Sequence, residues 1–100
     1  MDESSIKAEI EKHLKESTKR HYSDFYIGIT DNIETRLHGF HRVPNEGHWF
    51  IWAQADSEEV ARKVEKYYLD QGMDGGTGGG NEDTLYVYCY EIEEGLTRER

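Results

Sequence analysis

The chain has 100 residues, 21 acidic against 12 basic, and a net charge of −9 at neutral pH. That length fits one domain. No apolar run approaches the ~20 residues of a membrane span, the acidic start Met1-Asp2-Glu3-Ser4 lacks the apolar stretch of a secretory signal, and a single cysteine, Cys89, excludes an internal disulfide or a thiolate zinc cluster. The expected compartment is therefore a reducing cytoplasm, with no membrane partner. The charge opposes non-specific nucleic-acid binding and leaves room only for a local site. It is also uneven: residues 71–100 hold seven acids and two bases, whereas residues 21–55 hold four acids, two bases and four of the five histidines. The latter stretch is the least hostile to an anion.

Ile6, Ile10 and Leu14 recur every fourth residue, which predicts a helix over about residues 4–20 with one thin apolar stripe, capped by Ser4 or Ser5. So narrow a stripe must dock on something larger, most simply the domain's own sheet. Residues 25–30, Phe-Tyr-Ile-Gly-Ile-Thr, read as a strand. Phe25, Ile27 and Ile29 share one face; Tyr26, Gly28 and Thr30 share the other. Gly28 weakens a strand unless something must approach the backbone there. Asp31-Asn32-Ile33-Glu34 has capping-box spacing and opens a short helix that turns Ile33 and Leu37 inward and ends near Gly39.

Residues 40–48 form a loop around the only proline, Pro44, and the turn residues Asn45-Glu46-Gly47. His48 to Ala55 read as a second strand, apolar on both faces and therefore expected at the centre of the sheet. Asp56-Ser57-Glu58-Glu59 caps a helix carrying Val60, Ala61, Val64, Tyr67 and Tyr68, which ends near Gly72. Six glycines within residues 72–80 mark an unusual loop. A last strand, Leu85 to Ile92, alternates Leu85, Val87 and Cys89 with Tyr86, Tyr88 and Tyr90. Residues 93–100 read as a frayed tail. The domain divides into an N-terminal helix (1–20), a core (25–92) and that tail (93–100). Its class is α+β: a small three-stranded, mainly antiparallel sheet flanked by helices, in the order α-β-α-β-α-β.

The run Tyr26-Ile27-Gly28-Ile29-Thr30-Asp31-Asn32-Ile33-Glu34-Thr35-Arg36-Leu37 resembles the second half of the GIY-YIG nuclease signature. In that superfamily a Tyr-Ile-Gly strand runs through a turn into a short helix bearing an arginine. A strand and a glutamate-bearing helix follow, and here Ala61-Arg62-Lys63-Val64-Glu65 is similar to that helix. The resemblance covers about residues 25–70. It implies a phosphodiester hydrolase with Arg36 on the phosphate, Glu65 on a divalent ion, Mg²⁺ or Mn²⁺, and Tyr26 near the attacking water. These side chains suit the task. A planar guanidinium meets two phosphate oxygens at once. A carboxylate holds a hard cation. A phenol orients water, and deprotonates it only when its pKa of about 10 is lowered.

The family's Gly-Ile-Tyr strand is absent. Either Tyr22 stands in for it, or the last strand fills its place by circular permutation. The second is preferred, because a three-stranded sheet needs that strand. It would bring Tyr86 or Tyr88 to the face that carries Tyr26. A histidine often follows the family's arginine, and His38 and His41 both lie close.

Weaker patterns read as structural. His38, His41 and His48 are a thin transition-metal set. The glycine loop precedes a strand and lacks the P-loop lysine. Cys89 alternates with tyrosines and is expected to be an inert packing residue. Two functions follow. One is a metal-dependent nuclease acting on nucleic acid at a local site. The alternative is a catalytically inactive, acidic interaction module of the same fold, whose partner would be a basic protein.

Overall fold

The computed structural model describes residues 1–76 and 84–99. Three strands, β1 (Phe25–Thr30), β2 (Phe50–Gln54) and β3 (Tyr86–Glu91), form one sheet in the order β1-β3-β2. Both pairings are antiparallel, with Gly28 opposite Tyr88 and Trp52 also opposite Tyr88. Two helices, α1 (Glu3–Leu14) and α2 (Glu58–Gln71), complete an α+β domain, together with a short helix, Glu34–Phe40, whose wider winding carries a bond from the His41 N–H to the Arg36 carbonyl at 3.0 Å.

Strand alternation divides the core into two layers. On one face Phe25, Ile27, Ala53, Val87 and Cys89 meet Ile6 and Ile10 of α1 and Ala61, Val64 and Tyr68 of α2. Each large apolar side chain buried there contributes roughly 1.5–3 kcal/mol. On the other face Tyr26, Tyr88 and Tyr90 pack with Leu37 and Val43. Cys89 is fully buried, and burial pushes its thiol up, as suits a packing residue.

Local signals act where the sequence places them for α2. The Ser57 hydroxyl accepts the Val60 N–H at 3.2 Å, and Gly72 closes the helix at φ +115°, in the left-handed region. α1 differs from expectation at both ends. Its cap is Asp2, which accepts the Ser5 N–H at 2.8 Å, so neither Ser4 nor Ser5 serves. It stops at Leu14 and does not continue to residue 20. Beyond Leu14 no apolar residue is left to bury, and the Ser17 hydroxyl accepts the Lys19 N–H (3.1 Å) while donating to Glu91 (2.6 Å), an alternative to helical bonding.

Two further expectations are corrected. β2 is an edge strand, and β3 occupies the centre. β3 buries Val87, Tyr88, Cys89 and Tyr90 on both faces, whereas Trp52 of β2 is 49% exposed. The described part of the tail, residues 93–99, does not fray: the Arg98 N–H donates to the His41 carbonyl at 2.8 Å, Arg98 Nε donates to the Phe40 carbonyl at 3.0 Å, and the Thr97 N–H donates to the Glu93 carbonyl at 2.9 Å. Its backbone donors find partners in a neighbouring segment, which a sequence without periodicity does not reveal. Of the glycine loop 72–80, the part described forms a short parallel bridge along the free side of β1, with Asp74 bonded to Phe25 and Ile27; Gly78, Gly79 and Gly80 lie outside the described residues. Among those residues no helix is long and apolar enough to cross a membrane.

Candidate active site

The tyrosine face of the sheet is organised around Gly28. A Cβ at that position would overlap Cζ and the hydroxyl of Tyr88 and stand 2.9 Å from its Cε2. The Tyr88 ring therefore crosses β1 at the one strand position without a side chain, which is the close approach that the sequence pattern calls for. Tyr26 stacks beside it, with ring centroids 6.3 Å from Tyr88 and 5.2 Å from Tyr90.

The segment after β1 supplies the other groups. The Thr30 hydroxyl and the Asn32 backbone bond each other both ways, and the Asn32 side chain accepts the Thr35 N–H at 3.1 Å. The short helix then buries Leu37 and leaves Arg36 exposed. Its wide last turn delivers His41 to the interior, and Arg42 bends the chain at φ +59° so that Val43 is buried as well. Wide turns of this kind recur at functional sites.

His41 is fully buried, and its ring centroid lies 4.6, 5.4 and 5.1 Å from those of Tyr26, Tyr88 and Tyr90. Its protonation pattern follows from its partners. Nδ1 lies 2.6 Å from the Arg98 carbonyl, which only accepts, so Nδ1 carries the hydrogen. Burial, the largest cause, holds the imidazole pKa below its usual value, and the Arg36 and Arg98 charges act in the same direction. The ring is therefore neutral at neutral pH, and Nε2 accepts from the Tyr88 hydroxyl at 2.8 Å. The Tyr90 hydroxyl, 3.0 Å from Nδ1, donates to Glu99 at 2.9 Å.

Tyr88 is where the separate elements meet. Burial pushes its phenol up; the Arg36 guanidinium pulls the other way, and the charges of Tyr26 and Glu65 add to the rise. The fields of Arg36, on the short helix, and of Glu65, on α2, are thus both felt at Tyr88 of β3. Glu65 is only 8% exposed, and burial lifts its carboxyl from 4.5 to about 6. It forms no salt bridge among the described residues. Its cationic neighbour Arg62 is itself bonded to Glu58 at 2.7 Å.

Of the residues singled out from the sequence, Tyr88 fills the Gly28 gap with Tyr26 stacked beside it, and the charges of Arg36 and Glu65 bear on the Tyr88 phenol from the short helix and from α2. Tyr86 shares their face but sits at the far end of β3, edge-on to Trp52 at 5.7 Å. His41, one of two histidines close to Arg36, is the one drawn in; His38 instead bonds the Val43 carbonyl at 2.7 Å, and His48 the Glu91 carbonyl at 2.7 Å. These three histidines do not converge, and among the described residues no group of three or more His, Cys, Asp or Glu is placed to hold a metal. Sequence reasoning passed over Tyr90, Arg98 and Glu99. The Tyr86/Tyr88/Tyr90 alternation points to the first of these. Nothing marks Arg98, whose carbonyl is the group that acts on His41.

Were a hard divalent cation to bind here, Glu65 is the side chain that would hold it. A buried carboxylate without a salt bridge is costly when ionised, and a cation would relieve that cost. Mg²⁺ is typically held by one or two carboxylates, with water and substrate phosphate completing its shell. The chain matches no protein-family model, no curated protein and no solved structure.

Proposed function

We propose that this chain is a divalent-metal-dependent phosphodiester hydrolase, a divergent GIY-YIG-like nuclease whose missing strand is supplied by β3. The observation that carries this reading is the buried contact of the Tyr88 hydroxyl with His41 Nε2, at 2.8 Å across the Gly28 gap, on a phenol that the charges of Arg36 and Glu65 also influence. The antiparallel pairing of β3 with β1 supports the permutation, because it sets the tyrosine strand beside the Tyr-Ile-Gly strand.

In this reading Arg36 binds two non-bridging oxygens of the scissile phosphate and offsets the charge that grows on them. Tyr88 and Tyr26 are 2% and 3% exposed, so in this reading they flank the attacking water once substrate binding opens the site. Tyr88 keeps its proton at rest, so it acts as a relay: it takes a proton from the water as it passes its own to His41 Nε2, the free acceptor. The water oxygen bonds to phosphorus, and the P–O bond to the leaving group breaks. Glu65 would hold Mg²⁺ or Mn²⁺, which when bound stabilises the negative charge on the leaving oxygen.

The test is incubation of the purified protein with Mg²⁺ or Mn²⁺ and mixed DNA and RNA substrates. Cleavage is expected, with a loss of 100-fold or more, on the order of one removed electrostatic group, in Arg36→Ala and Glu65→Ala. No cleavage, or cleavage unchanged in Glu65→Ala, overturns the proposal. The net charge of −9 favours a second reading, an acidic module that kept the fold without the chemistry and binds a basic protein. Recovery of no basic protein from a host lysate counts against it.

A further inference from the structure

Arg98 is exposed, yet it is held in place. Its N–H and Nε donate to consecutive carbonyls, those of His41 and Phe40, at 2.8 and 3.0 Å. Its guanidinium lies 4.6 Å from the centroid of the Phe40 ring, and the Arg36 guanidinium lies 4.3 Å from that same centroid. Two cations thus share one aromatic ring beside His41, and both depress the charge of His41. In a chain with 21 acids, neither forms a salt bridge among the described residues. The adjacent carboxylate, Glu99, is turned away to the hydroxyls of Tyr90 (2.9 Å) and Thr97 (2.8 Å). Two exposed guanidinium groups free of salt bridges among the described residues make a local cationic spot on an acidic chain, and an anion is its complement.

We propose that Arg98 is a second phosphate-binding group. It takes the phosphate next to the one held by Arg36, so that the site grips a phosphodiester chain across two neighbouring linkages. The inference rests on the hydrolase reading for the role of Arg36 and adds the tail as part of the binding surface. The Nε bond to Phe40 uses one donor of Arg98 and leaves its terminal NH₂ groups for the phosphate oxygens. It follows that a mononucleotide, with one phosphate, engages Arg36 alone.

Binding of a short fluorescein-labelled oligonucleotide by anisotropy, across roughly 50 to 200 mM salt, tests this in the full chain. Arg98→Gln is expected to weaken binding several-fold and to lower the slope of log affinity against log salt by about 1. Binding of a mononucleotide, followed by competition, is expected to be unchanged in Arg98→Gln and weakened in Arg36→Gln. Arg98→Lys, which keeps the charge but loses the planar fork, is expected to retain the salt slope and serves where glutamine loosens the tail. If Arg98→Gln and Arg98→Lys both bind the oligonucleotide as tightly as the unaltered chain while Arg36→Gln does not, the inference fails and the hydrolase reading stands. If the unaltered chain binds no oligonucleotide, the hydrolase reading fails with it.

Discussion

Gly28→Ala isolates the central contact of the site. A methyl group there would overlap Cζ and the hydroxyl of Tyr88, a ring only 2% exposed and stacked against Tyr26. Forcing extra volume into a packed site costs about 1–3 kcal/mol. The reduced chain entropy of alanine offsets about 0.4–1 kcal/mol of this. A net loss of roughly 1–2 kcal/mol is expected, together with displacement of Tyr88 from His41. The informative measurement is a double-mutant cycle by urea unfolding, with Tyr88→Leu as the partner. Leucine lacks the Cζ and hydroxyl that the methyl would strike. In that background Gly28→Ala should change sign and stabilise. An equal loss with and without the Tyr88 ring would show that the glycine is needed for its backbone and not for the crossing, and the proposed site geometry would fall.

Glu65→Gln should stabilise the protein at neutral and higher pH. The folded carboxyl, at about 6, lies above its value of 4.5 without burial, so its contribution is fully present below about pH 4.5 and is lost as pH rises through 6. The difference corresponds to about 2 kcal/mol, read as the change in the variant-minus-parent stability gap between pH 4.5 and pH 8 by urea unfolding. A constant gap refutes it, whereas millimolar Mn²⁺ should raise the melting temperature of the parent and not of the variant. Trp49→Ala should cost about 3 kcal/mol or more, since its indole N–H donates to the His13 carbonyl at 3.0 Å and its ring meets Phe25 at 5.0 Å. Trp52→Ala should change stability by only about 0.5 kcal/mol; equal losses in thermal melts of the two would contradict an edge position for β2.

What the sequence made legible was local. The alternation of residues 25–30, the Ser57 cap and the Gly72 stop depend on neighbours a few residues away, and each acts as its pattern predicts. Sheet order was not legible, because tyrosines read as half-exposed while Tyr88 and Tyr90 bury their rings, and because Trp52 reads as core while lying half open. Gly28 signalled that something comes close without saying what. The role of Arg98 was hidden for a different reason: its action on His41 runs through a backbone carbonyl, which every residue has. The extra turn width before His41 likewise leaves no mark in the residues that form it.

The sheet's order has a consequence for synthesis. Among the described residues β1 and β2 form no ladder with each other and each finds its strand partner in β3, so, apart from the Asp74 bridge to β1, neither gains a ladder until residues 86–91 have left the ribosome. Until then the nascent chain holds two unpaired strands and two helices with no completed surface to rest on, a distant-contact topology that folds slowly and depends on chaperoning or speed to avoid sticking. Assembly should therefore occur as one late event, with Tyr88 and the keystone strand arriving together.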